Sequence, residues 1–125
     1  MNAEELKAGE ELATKVQAAK ADFLRPVQSL AGLYFRCQQH CYERYVTLEE
    51  AEDCKLRCKG VMSRFNHTLD TNLAKVFTGF FKCVQTCREQ GGSCLQNCQE
   101  EAALTLQESK QVILTAADKT AKQYA

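Results

Sequence analysis

Cysteines occur in four pairs of identical spacing, Cys37 with Cys41, Cys54 with Cys58, Cys83 with Cys87 and Cys94 with Cys98, and any fold must put every pair to use. Side chains four residues apart on a helix point the same way, one turn apart. Between the second and third pairs runs one apolar seam, Cys54, Cys58, Val61, Phe65, Leu69, Leu73, Val76, Phe80, Cys83 and Cys87, at steps of three and four. That rhythm marks one face of a helix. It predicts an unbroken central helix from near Leu48 to Arg88 or Glu89, with Cys58 and Cys83 roughly 37 Å apart at the helical rise.

Two such pairs on antiparallel helices face each other rung by rung. The expected bridges are therefore Cys37–Cys58 and Cys41–Cys54 at one end, and Cys83–Cys98 and Cys87–Cys94 at the other. Eight cysteines allow about 105 pairings, but this one keeps both hairpins nested with partners near the roughly 5.5 Å Cα separation that a disulfide requires. Each inner bridge closes a loop of about 8 to 14 residues, which chain entropy values at about 2.5 to 3 kcal/mol. Two rival uses remain for the same thiols. One is a tetrahedral zinc site at each end, although zinc knuckles more often use a spacing of two. The other is a redox-active pair, which the absence of any Cys-x-x-Cys disfavours.

Along the chain, residues 3–24 are rich in Ala, Glu, Lys and Leu and predict a helix. Its expected stripe, Ala13, Val16, Lys20 and Phe23, is thin enough to need a neighbour. Pro26 removes a donor and crowds the carbonyl of Asp22. Because Phe23, Val27, Leu30, Tyr34, Cys37 and Cys41 keep the rhythm through it, a kink is expected and not a loop, with helix one ending near Tyr45. Thr47 and Glu50 form a capping-box pair, and Glu49, Glu50, Glu52 and Asp53 suit the positive end of the next helix. Gly91 and Gly92 predict its stop, and Ser93 with Gln96 the start of helix three, whose stripe is Cys94, Cys98, Ala102, Leu106, Ile113, Ala117 and Ala121.

An internal repeat supports the same plan. Leu30-Ala-Gly-Leu-Tyr-Phe-Arg-Cys-Gln-Gln-His-Cys41 aligns with Val76-Phe-Thr-Gly-Phe-Phe-Lys-Cys-Val-Gln-Thr-Cys87. The expected fold is all-α: three long antiparallel helices forming two disulfide-stapled hairpins that share the central helix. One helical domain covers 1–125, with an N-terminal extension at 1–25, the twin hairpins at 26–98 and the rest of helix three at 99–125.

Lysine plus arginine and aspartate plus glutamate each total 16, so no global field draws nucleic acid or an anionic membrane. The longest apolar run, Val76 to Phe81, is too short and too interrupted for a bilayer span. His40 and His67 lack a second ligand at suitable spacing and read as surface residues. Tyr34, Phe35, Phe77, Phe80 and Phe81 read first as core, and second as a docking surface. No nucleophile with a base, phosphate loop or paired carboxylate in a cleft is present, so neither an enzyme nor a cofactor is expected. The opening Met1-Asn-Ala-Glu-Glu-Leu-Lys resembles neither a secretory signal nor a transit peptide. Eight cysteines nonetheless ask for an oxidising compartment, and the mitochondrial intermembrane space satisfies both conditions, as does the alternative of a cytosolic zinc protein.

Twin Cys-x-x-x-Cys hairpins resemble the small Tim chaperones of that space, which carry one hairpin where this chain has two. Gly32-Leu-Tyr-Phe-Arg-Cys37 with Cys41, then Cys54-Lys-Leu-Arg-Cys58 and two further motifs, more closely resembles the mitochondrial group called family with sequence similarity 136, a domain of unknown function. The likeness spans about Leu30 to Cys98. It implies an intermembrane-space address and import through the disulfide relay, which recognises an aromatic near a docking cysteine; Tyr34 before Cys37 and Phe80 before Cys83 match that role. No reaction is implied. The function expected is a non-catalytic accessory subunit of an inner-membrane complex, of the respiratory chain or the ATP synthase, whose partners are the other protein subunits. The alternative is a small-Tim-like chaperone or assembly factor.

Overall fold

The computed structural model describes residues 2–90 and 92–124, and among them every regular element is helical. The helices are α1 (Ala3–Ala21), α2 (Leu24–Arg44), α3 (Leu48–Cys58), α4 (Gly60–Gln90) and α5 (Cys94–Tyr124). Two of the three long helices expected from the apolar rhythm are thus divided, the first between α1 and α2 and the central one between α3 and α4. The expected stop at Gly91 lies outside the described residues, but Gly92 has the left-handed φ of 70° that glycine adopts without strain.

Both breaks have local causes. Asn2 caps α1 through a reciprocal pair: its Oδ1 accepts from the Glu5 amide at 2.8 Å, and its own amide donates to the Glu5 carboxylate at 3.3 Å. The helix ends at Asp22, whose amide bonds back to Ala19. Pro26 has no N–H to offer the Asp22 carbonyl, so it sits in the first turn of a new helix, where a donor is dispensable. The ladder resumes with the Val27 amide on Phe23 O at 2.9 Å. Asp22 and Phe23 both keep right-handed helical dihedrals. The apolar rhythm therefore passes through a joint that the hydrogen-bond ladder does not cross.

The second joint is Lys59. Its amide turns back to Leu56 O in a tighter bond, and the next ladder bond is from the Ser63 amide to Lys59 O. Gly60 follows, the poorest helix former after proline. A Cβ at Gly60 would come within 2.8 Å of the Tyr124 hydroxyl, so the tyrosine tip lies directly on bare backbone. At the start of α3, Thr47 Oγ1 accepts from the Glu50 amide at 3.2 Å.

The chain divides into two compact units. The first contains α1 with residues 70–112. Here α1 runs antiparallel to α4, with Glu5 on Arg88 at 3.5 Å and Gly9 over the Phe80 ring. It runs parallel to α5, with the Gln99 amide donating to Glu11 at 2.9 Å and Lys110 paired with Asp22 at 2.6 Å. Its buried face is Glu5, Ala8, Leu12, Val16 and Ala19, while Ala13 and Lys20 are exposed. That face shares Val16 with the expected stripe but runs through Ala8, Leu12 and Ala19 in place of Ala13 and Lys20, on the side where Gly9 lets the backbone approach Phe80. Opposite it lie Leu73, Val76, Phe80 and Val84 of α4 and Cys98, Ala102 and Leu106 of α5, all buried.

The second unit spans Phe23–Leu69 and Ile113–Ala125. Its core is Phe23 and Leu30, Ala51 and Cys58, Val61 and Phe65, and Ile113 and Ala117, each buried. The end of α5 is tied to the start of α4 by the Arg64 guanidinium donating to the Gln123 side-chain Oε1 at 3.2 Å.

Two neighbouring aromatics on different sides of α4 make the packing testable. Phe80 is 2% exposed and Phe81 is 42% exposed. Phe80→Ala should lower unfolding free energy by about 3 to 5 kcal/mol and Phe81→Ala by less than about 1. Denaturant titration of the oxidised protein measures both, and equal losses would contradict the assigned face.

Candidate functional site

All eight cysteines are joined, as Cys37–Cys58, Cys41–Cys54, Cys83–Cys98 and Cys87–Cys94. Their Cα separations, from 5.5 to 5.8 Å, fall in the range a disulfide spans without moving the backbone. Neighbouring rungs touch: Cys41 and Cys58 sulfurs lie 3.7 Å apart, and Cys87 and Cys98 sulfurs 3.3 Å apart. Both partners are oxidised, so these are packing contacts between rungs and involve no thiol proton. Three sulfurs at each end, Cys37, Cys41 and Cys58 or Cys83, Cys87 and Cys98, lie within 4.8 Å of one another. Zinc would need them as thiolates, and here their bonding capacity is taken up by sulfur.

The aromatic pair before each ladder is duplicated in geometry. Tyr34 meets Phe35, and Phe80 meets Phe81, edge to face at 5.7 Å between centroids. Tyr34 is half-buried, Phe80 is buried, and Phe35 and Phe81 are exposed. Of this aromatic set only Phe80 is core; Tyr34 is partly covered, and Phe35 and Phe81 are surface. His40 and His67 are both exposed and are not brought together; His40 has Glu43 3.9 Å from its Nδ1.

Beside each ladder lies a groove, a feature absent from the sequence-based expectations. One, of about 600 Å³, is lined by Leu33, Arg36, Cys37, His40, Cys41, Arg44, Cys54 and Tyr124. The other, of about 500 Å³, is lined by Gly79, Lys82, Cys83, Thr86, Gln90, Cys94, Asn97 and Glu101. Leu33, Arg36, Cys37, His40 and Arg44 map onto Gly79, Lys82, Cys83, Thr86 and Gln90 at the constant offset of the repeat. The signal that would have found the grooves is that offset, combined with knowledge of which hairpin face stays uncovered.

The two hairpins are covered on opposite faces. In the first unit α1 lies over Phe80, Val84 and Arg88, leaving the groove side open. Their repeat equivalents are Tyr34, Gln38 and Tyr42, and there the Gln38 amide donates to the Tyr34 hydroxyl at 2.9 Å. A buried valine in one hairpin thus corresponds to a half-buried polar residue in the other. In the second unit it is the end of α5, with Tyr124, that reaches the groove side.

No helix among the described residues is long and apolar enough to cross a membrane. The oxidation state is open to direct measurement. Reduction should raise the intact mass by eight hydrogens, two for each of the four bridges, and proteolysis should yield a Cys37–Cys58 linked peptide. Alkylation of the native protein by iodoacetamide at several sites, or stoichiometric zinc, would contradict the ladders. Comparison with protein-family models, with curated proteins and with solved structures finds no match for the chain.

Proposed function

We propose that this chain is a non-catalytic structural or accessory subunit on the intermembrane-space side of a mitochondrial inner-membrane complex, of the respiratory chain or the ATP synthase. The observation that carries the reading is the closure of every cysteine into two nested ladders. Such bridges persist where thiols are oxidised and are rare where glutathione keeps them reduced. The resemblance to family with sequence similarity 136 supports the same address. Tyr34 and Phe80 serve the disulfide relay during import, before Phe80 is buried by folding.

The neighbour that α1 needs is the α4–α5 hairpin of this same chain, so α1 is not free to dock elsewhere. The contact with the complex is placed instead on the α2–α3 hairpin. Val46 in its turn is 97% exposed, and Leu48, Leu56, Tyr42 and Phe35 are exposed on its helices. Large apolar side chains gathered on one stapled element suit a fixed contact. The chaperone reading draws on the same exposed aromatics. It is disfavoured because the apolar stripe of Phe80, Val84 and Leu106 is covered by α1 and is not open to a client.

The test is migration on a native gel. Wild-type protein from mitochondria should run with a large assembly, and Val46→Asp with Leu48→Asp should release it while leaving its disulfides and melting temperature unchanged. Recovery of the wild type only as a free species or small homo-oligomer, bound to unfolded apolar precursors, would establish the chaperone instead.

A further inference from the structure

We infer that the groove beside the Cys37–Cys58 and Cys41–Cys54 ladder is a docking site for an acidic amphipathic helix of a partner protein. The inference deepens the accessory-subunit reading and rests on it for the identity of the partner as a protein. Arg36, His40 and Arg44 stand at successive turns of α2 on one wall of the groove, spaced about 6 Å apart along the helix. Leu33, the disulfide sulfurs and the Tyr124 ring supply its apolar surface.

No carboxylate lines the groove among the described residues. Nor does Arg36 or Arg44 have an ion-pair partner among them. The Arg44 guanidinium lies over the Tyr45 ring at 5.9 Å, a contact that leaves its hydrogen-bond donors available. Glu43, beside His40, is over half exposed and accepts from the Gln39 amide.

The repeat supplies an internal control. The equivalent groove in the other unit carries Lys82, Thr86 and Gln90 in place of Arg36, His40 and Arg44, and has the Glu101 carboxylate on its opposite wall. The same hairpin architecture is therefore built without a basic row. The two arginines have no guanidinium counterpart in that second hairpin, and guanidinium forks without an ion-pair partner beside an apolar groove match carboxylates in bidentate geometry.

A helix with acids every fourth residue and leucines beside them meets both the row and the floor. A membrane surface is flat where this site is concave. Nucleic acid would need a charge field that a chain with 16 basic and 16 acidic residues lacks.

Fluorescence anisotropy with intact oxidised protein tests the site. The probe is a labelled helical peptide of about 15 residues with glutamate at every fourth position and leucines adjacent, against the same peptide with glutamines. The glutamate peptide should bind and weaken as salt rises from about 50 to about 500 mM. Arg36→Gln with Arg44→Gln should weaken it at least about tenfold, as expected when charge-assisted hydrogen bonds are removed, while Lys82→Gln has no effect. Because Arg36 and Arg44 are exposed, the double variant should melt with the wild type, which verifies that lost binding is not lost folding.

Equal binding of the two peptides, or no response to the double variant, would overturn the proposal. So would arginine-dependent binding to phosphatidylserine-rich vesicles with no binding of the peptide, which would assign the groove to lipid. The two readings fail separately. A double variant that stays in the large assembly and a peptide that does not bind would remove the groove and leave the subunit. A wild type that never enters an assembly yet binds the peptide through its arginines would do the reverse.

Discussion

Two disulfides one helical turn apart allow a pair of antiparallel helices only one register. A single bridge is a pivot; the second removes both rotation and sliding, and the contacts between neighbouring sulfurs fill the seam. In the α4–α5 hairpin the register persists well beyond the bridges. Ser109 Oγ donates to the Asn72 carbonyl at 3.3 Å, eleven residues beyond Cys98 and Cys83 respectively. The buried apolar rows of both helices therefore meet a third helix as one prepared surface.

What that third helix covers separates the two halves of the repeat. α1 is weakly apolar, yet it buries Ala8, Leu12, Val16 and Ala19 because alanines and Gly9 let its backbone come close to Phe80. Its ends are fixed by charge, with Glu5 on Arg88 and Asp22 on Lys110. Such half-exposed pairs contribute modestly to stability, about 0 to 1 kcal/mol each. Their effect is to select the register of α1 among several that a smooth alanine face would tolerate. In the other unit the end of α5 is anchored by Tyr124 on the bare backbone of Gly60 and by Gln123 with Arg64.

Duplicate hairpins covered on opposite faces are free to differ on the faces left open. Val84 is buried under α1, whereas its counterpart Gln38 is spent on a hydrogen bond to Tyr34. The groove positions diverge likewise, nearly neutral beside Cys83 and basic beside Cys37. The ladders are common to both hairpins, and the differences lie in the residues beside them.

The helical class, the cysteine pairing geometry and the repeat were legible in the chain, because a four-residue spacing has one meaning on a helix and nested hairpins admit one set of rungs. The seam from Val61 to Phe80 was legible for the same reason. The breaks at Asp22–Phe23 and at Lys59 were not, since the backbone there stays near helical dihedrals and only the hydrogen-bond ladder lapses. Nor was the buried face of α1, where alanines lie on every side of the helix and only the approach of Gly9 to Phe80 decides which of them are covered. The grooves were decided by tertiary structure alone. Arg36, His40 and Arg44 share a helix face by sequence, but whether that face is buried, open or half-roofed by Tyr124 depends on where the far end of α5 comes to rest.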